Sequence, residues 1–198
     1  MTTNYTKSSL APPIWVLAIA VSAANVGISL LSPAIPQLRD DLMVTSDEAQ
    51  LVLSAFLIML GVGQLIAGSL SDRIGRRPVL VYGSLLFLLS GLGALFSTSI
   101  EMLVAMRIFQ GLGAATCMAM GRVIISDSFQ RAEAGRQMST ITMFQSVVPL
   151  LGFAFGGVMA DLVGWRGSVG LMVVTAAIVF LGTSLLLAES RDPSIKPV

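Results

Sequence analysis

Histidine is absent from the 198 residues of this chain, and cysteine occurs once, as Cys117. The first absence removes histidine-based metal sites and every catalytic triad or dyad built on imidazole. The second removes any intrachain disulfide, so the redox compartment cannot be read from bridges. Charge is scarce as well: Asp, Glu, Lys and Arg make up 12% of the residues, about half of what an ordinary globular domain carries. A net charge of +1 with no basic patch or tail gives nucleic acid no footprint. There is no Walker-type phosphate loop, and no pair of aspartates lies inside an apolar run, so neither ATP hydrolysis nor intramembrane proteolysis is expected. The expectation is a protein that is not an enzyme and holds no metal or cofactor.

What the chain has in quantity is apolar sequence, 55% of its residues, with a mean hydropathy of +0.85. Six charge-poor runs of about 20 residues, the length that crosses about 30 Å of hydrocarbon, fall near 14–35, 50–70, 79–98, 102–125, 138–160 and 168–188. Barrel strands would be half as long and would alternate polar with apolar. The fold expected is therefore all-α, a polytopic membrane protein of six transmembrane helices in a lipid bilayer. Residues 1–13 form an N-terminal tail, 14–188 the helical bundle, and 189–198 a second tail or the start of a linker. The first run is expected to be a span, with a cleaved secretory signal as the lesser alternative, because it continues past the possible cleavage site at Ser22, Ala23 and Ala24 to Leu31.

Positive charge sets the orientation, since short cytoplasmic loops retain Lys and Arg. With six spans one side collects Lys7, Arg73, Arg76, Arg77, Arg122, Arg131, Arg136, Arg191 and Lys196, the other only Arg39 and Arg166. Both termini and residues 71–78 are expected in the cytoplasm, with Arg107 alone well inside a span.

Polar and small residues recur at helical spacing within the runs. Asn25 stands with Ser22, Ser29 and Ser32, and Gln64 with Ser54, Gly61 and Gly68. Arg107 shares a face with Gln110, Gly111, Ala114 and Met118, and Gln145 shares one with Pro149, Gly152 and Gly156. A charge within a span is costly, so Arg107 is expected to line a cavity. Asn25, Gln64, Gln110 and Gln145 are candidates for the same cavity or for coupling. Gly111, Pro149, Gly152, Gly156 and Gly157 are candidates for helix packing. No carboxylate lies deep in a span: Asp47, Glu48, Glu101 and Asp161 sit near outer ends, Asp72 and Asp127 near inner ones.

The cluster between the second and third runs is more specific. About eight residues join them, so the two helices are expected to be antiparallel neighbours, with Gly68 permitting close approach, Gly75 a positive-φ turn, and Pro78 in the first turn of the next helix. Gly68, Asp72, Arg73, Gly75, Arg76 and Arg77 resemble the loop signature of the major facilitator superfamily, Gly-x-x-x-Asp-(Arg/Lys)-x-Gly-(Arg/Lys)-(Arg/Lys). Arg107, Gln110 and Gly111 are similar to that family's fourth-helix pattern. Pro149, Gly152, Gly156 and Gly157 resemble its antiporter signature, with Phe153 in place of a proline.

The resemblance implies the amino-terminal six-helix half of a twelve-helix transporter, most like the drug/proton antiporter branch of bacterial multidrug exporters. It implies a conformational latch at Asp72, supported by Arg73 and Arg76. It also implies secondary active transport, as proton-coupled efflux of small apolar or drug-like molecules through a bacterial inner membrane. The partner would be a carboxy-terminal half or a second copy in a homodimer. The competing expectation is a non-transporting half-size module or fragment that acts as a folding or assembly partner.

Overall fold

The computed structural model describes residues 12–187. The two termini, with Lys7, Arg191, Lys196 and the expected tail at 189–198, lie outside the described residues. Seven α-helices make six spans: α1 (Ile14–Ser29), α2 (Ile35–Leu42), α3 (Ser46–Ile74), α4 (Arg76–Leu95), α5 (Ile100–Ser128), α6 (Arg131–Val163) and α7 (Trp165–Leu186). No strand occurs among the described residues. The first span consists of α1, a 3-10 turn at Ser32–Ala34 and α2, and runs Ile14–Leu42. Pro33 lies in the 3-10 turn that interrupts this span, having no N–H to donate to the Ser29 carbonyl, and Pro36 sits in the first turn of α2, where no N–H is needed.

Helices extend further than the apolar runs, so the connections are shorter than expected. Between α3 and α4 a single residue intervenes, Gly75, at φ 103°, where an L side chain would be strained. Gly164, at φ 82°, likewise separates α6 from α7. Hydropathy reports where the hydrocarbon ends, whereas a helix continues into the headgroup region as long as its terminal turns are satisfied. Thr45 shows how: its hydroxyl accepts from Glu48 N at 3.3 Å while the Glu48 carboxylate accepts from Thr45 N at 2.8 Å, a reciprocal cap on α3.

Packing centres on α1 and α5. Two-thirds of the α1 span is buried (67%), against 17% for α6 and 22% for α3. Helix α3 packs on α5, α6 packs on α1 and α7, and α4 fills the space between α5 and α7. The expected intimate pairing of α3 with α4 is corrected: they diverge from Gly75 and touch sparsely. A side chain at Gly68 would meet open space, so that glycine does not serve close approach within this chain. Close approach occurs elsewhere. Gly111 on α5 lies against the backbone of Phe56 and Leu60 on α3, and Gly156 on α6 lies against the backbone of Leu30. Backbones that touch without intervening side chains gain dispersion contacts, the main driving force between helices where lipid is as apolar as leucine.

Candidate functional site

Three polar groupings stand out in this apolar bundle. The first is a closed knot around Arg107. Its Nη2 donates to Gly27 O on α1 at 2.6 Å, its Nε to Val52 O on α3 at 3.2 Å, and its Nη1 to Gln110 Oε1 at 2.6 Å and Met172 Sδ on α7 at 3.5 Å. The Phe56 ring lies beneath the guanidinium, 4.1 Å from its centroid. Gly27 belongs to the last turn of α1, whose carbonyls lose their helical donors where the helix ends ahead of the 3-10 turn, so the cation caps the negative end of that helix. Arg107 and Gln110 are 1% and 0% exposed. They do not line an open cavity, as the sequence suggested for them. They sit in the core, where backbone and side-chain acceptors compensate the charge.

The second grouping lies in the cleft where α6 leaves α5 over α1. Pro149 has no N–H, so the Gln145 carbonyl four residues earlier has no helical donor. Asn25 Nδ2 supplies one at 3.0 Å. The Gln145 side chain donates to Val21 O at 3.4 Å and accepts from Arg122 Nη2 at 3.0 Å. Asn25, Arg122 and Gln145 are all half-buried. The serines that repeat beside Asn25 behave differently: Ser22, Ser29 and Ser32 each bond back to a carbonyl four residues earlier in the chain. Gln64 joins neither grouping; it is exposed on α3, on the same face as Gly61 and Gly68.

The third grouping ties three helix ends together. Arg76, in the first turn of α4, pairs through Nη1 with Asp72 Oδ1 on α3 at 2.5 Å and through Nε with Asp127 Oδ2 on α5 at 3.3 Å. The same Nη1 reaches Ser71 Oγ at 3.1 Å. Arg77 makes a different link, donating to Ser184 O at 2.8 Å and Leu187 O at 2.5 Å, which joins α4 to the C-terminal end of α7. Arg73 sits in the last turn of α3. Asp72 is largely exposed, so its pair with Arg76 is worth at most about 1 kcal/mol. Such a link holds one arrangement of helix ends and is easily given up.

Among the remaining candidates, Gly152 faces Ser29 so closely that a Cβ would overlap its hydroxyl, while Gly157 has only Pro33 within reach, at 3.9 Å. Sequence reasoning missed two site residues, Arg122 and Asp127. Span parity places Asp127 at the same end as Asp72 and Arg76, which was a usable signal. Arg122 was counted with the cytoplasmic charges because it stands near the end of its run, and nothing in the sequence says that its side chain turns inward.

The profile of the Major Facilitator Superfamily matches residues 17–198 of the chain. The chain belongs to that family. It is 32% identical over 189 residues to a chloramphenicol resistance protein of Pseudomonas aeruginosa, covering 93% of this chain and 42% of that protein. It is 31% identical over 175 residues to multidrug resistance protein D of Escherichia coli K12, covering 88% and 44%. The chain thus spans less than half the length of these relatives. A crystal structure of a D-xylose-proton symporter superposes with a TM-score of 0.78 at 16% identity, over 89% of this chain and 48% of that one, a likeness of fold. The chain is a multi-pass membrane protein whose six spans correspond to half of such a transporter.

Proposed function

We propose that this chain is one half of a secondary transporter that exports small apolar or drug-like molecules, coupled to protons, with a carboxy-terminal half or a second copy as the facing half. The observation that carries this reading is the polar lining of its poorly covered side. Helices α3 and α6, the least buried, flank the α1–α5 pair. Gln64 is exposed on α3, and Asn25, Arg122 and Gln145 are half-open beside α6. Leaving these groups against lipid is unfavourable, so they call for a facing surface or water. A path between two halves that rock about a shared site uses such a lining. The similarity to resistance proteins supports export as its direction. In this reading the latch is the Asp72–Arg76–Asp127 cluster. The spans described here carry no interior carboxylate, so the proton-binding acid belongs to the facing half. The membrane is a bacterial inner membrane, with both termini and the Gly75 turn in the cytoplasm.

Everted vesicles test this reading, made from cells producing the chain alone or with a carboxy-terminal half. The probes are chloramphenicol and a set of lipophilic dyes of either charge. Uptake driven by a pH gradient and abolished by a protonophore is expected only from two-half assemblies. Flux from protein shown to be monomeric overturns the two-half requirement, and flux indifferent to the protonophore overturns proton coupling. For orientation, Ile74→Cys in a Cys117→Ala background is expected to escape an impermeant thiol reagent in intact cells and to react in everted vesicles. Labelling in intact cells overturns the orientation.

A further inference from the structure

Two arginines lie within the bundle, and their situations differ. The donors of Arg107 are engaged by Gly27, Val52, Gln110 and Met172, and its face by Phe56. Four of its five donors are thus used, and at 1% exposure it is closed off from any ligand. Arg122 gives one N–H to the Gln145 side chain and is half-buried. A guanidinium carries five donors. Among the described residues no carboxylate forms an ion pair with Arg122, and Asp127, the acid nearest along α5, is paired with Arg76.

The direction of the side chain separates a ligand-facing arginine from one that reaches for headgroups. Arg122 stands six residues before the end of α5 and Gln145 fourteen after the start of α6. At 1.5 Å per residue their Cα atoms lie about 9 Å and about 21 Å from the end that these antiparallel helices share. Side chains lean toward the N-terminus of their own helix. On α5 that direction is inward, toward the middle of the span, and on α6 it is back toward the shared end. The two side chains therefore lean toward each other and meet at 3.0 Å, with the guanidinium deeper than its own Cα. Snorkelling would send it the opposite way. The cation is held at depth by an amide, which orients it and leaves its charge uncompensated. The cleft around it opens because α5 and α6 pack closely on α1 and only sparsely on each other. Met118 and Val148 stand one turn away, both half-buried.

We propose that Arg122 is the anion-recognising group of this cleft, and that the chain favours apolar molecules with an anionic group over lipophilic cations. An unpaired cation at depth attracts an anionic group strongly where water is excluded, and it repels a cation by the same field. Asn25 and Gln145 fix the wall from which it acts. The inference rests on the transporter reading, and names the charge class of the substrate.

Tetraphenylborate and tetraphenylphosphonium have the same shape and size and opposite charge. Their binding to the full chain, purified in a neutral detergent, is measured by equilibrium dialysis, with protein-free micelles subtracted. The wild-type chain is expected to bind the borate at least about tenfold more tightly than the phosphonium. Arg122→Gln should bring the two within about twofold, Arg122→Lys should retain most of the preference, and Arg122→Glu should invert it. Thermal unfolding of each variant reports its folding separately. A wild-type ratio near one overturns the proposal without any variant, and so does a ratio unchanged in folded Arg122→Gln. Equal binding of both ions leaves the transporter reading standing. Binding of neither ion above the micelle control also overturns the proposal, and leaves the two-half transporter reading to be decided by the vesicle assay.

Discussion

The side-chain amide of Asn25 on α1 donates to the carbonyl of Gln145 on α6, the carbonyl that Pro149 leaves without a helical donor. A proline within a span is tolerated where a neighbouring helix satisfies the group it frees. The bond is therefore a structural complement between two distant positions, and it has a direct thermodynamic signature. Asn25→Ala is expected to lower stability by about 1 kcal/mol, the range of interhelical hydrogen bonds in membranes. In a Pro149→Ala background, where residue 149 regains its N–H, the same substitution should cost about half as much or less. Unfolding in mixed micelles measures the cycle, and equal costs in both backgrounds would refute the pairing.

Arg107 is expected to matter to folding first. Arg107→Ala leaves Gly27 O, Val52 O and the Gln110 side chain without their donor, and each buried group so orphaned costs about 1–3 kcal/mol. The variant should unfold at markedly lower temperature or fail to accumulate in the membrane. Lysine keeps the charge but not the planar fork, so Arg107→Lys should recover part of the loss and not all of it. Wild-type stability in Arg107→Ala would show that the knot is dispensable.

Asp127 and Asp72 share one partner, and their substitutions should not add. Asp72→Asn and Asp127→Asn are each expected to change stability by less than about 1 kcal/mol, since the pairs lie at the protein surface. Each should shift a two-state equilibrium up to about fivefold. In an active assembly that lowers transport while ligand binding stays within a few-fold. The double variant should resemble the stronger single variant. Transport rates and cysteine accessibility read the effect; full additivity would mean that the two acids act independently.

Adjacent glycines on α6 offer a sharp contrast. A Cβ at Gly156 would strike the Leu30 backbone, whereas one at Gly157 would find Pro33 at an ordinary 3.9 Å. Gly156→Ala should cost about 1–3 kcal/mol, and Gly157→Ala less than about 0.5 kcal/mol. Gly68→Ala, directed into open space, should leave the unfolding temperature of the chain unchanged and reduce transport only in a two-half assembly. Equal unfolding temperatures for Gly156→Ala and Gly157→Ala would remove the close contact from the account.

Composition and run length were enough to determine the class of this protein. Six charge-poor stretches of membrane-crossing length can only be helices, because in hydrocarbon every backbone group must be satisfied within its own segment. The spacing from Gly68 to Arg77 was likewise legible, since glycine at a positive-φ turn and charges at helix ends are local requirements. What a side chain meets across the bundle is not local, and only the tertiary structure decided it. Arg107 looked like a cavity residue because a charge in a span is rare, yet α1 and α3 close over it with carbonyls. Arg122 looked like a topology marker because it stands near the end of a run, yet its side chain turns inward to Gln145. The sequence specified where the charges lie along each helix; which way each one faces, and with what partner, was set by how α1, α5 and α6 pack, because polarity in a membrane is resolved between helices.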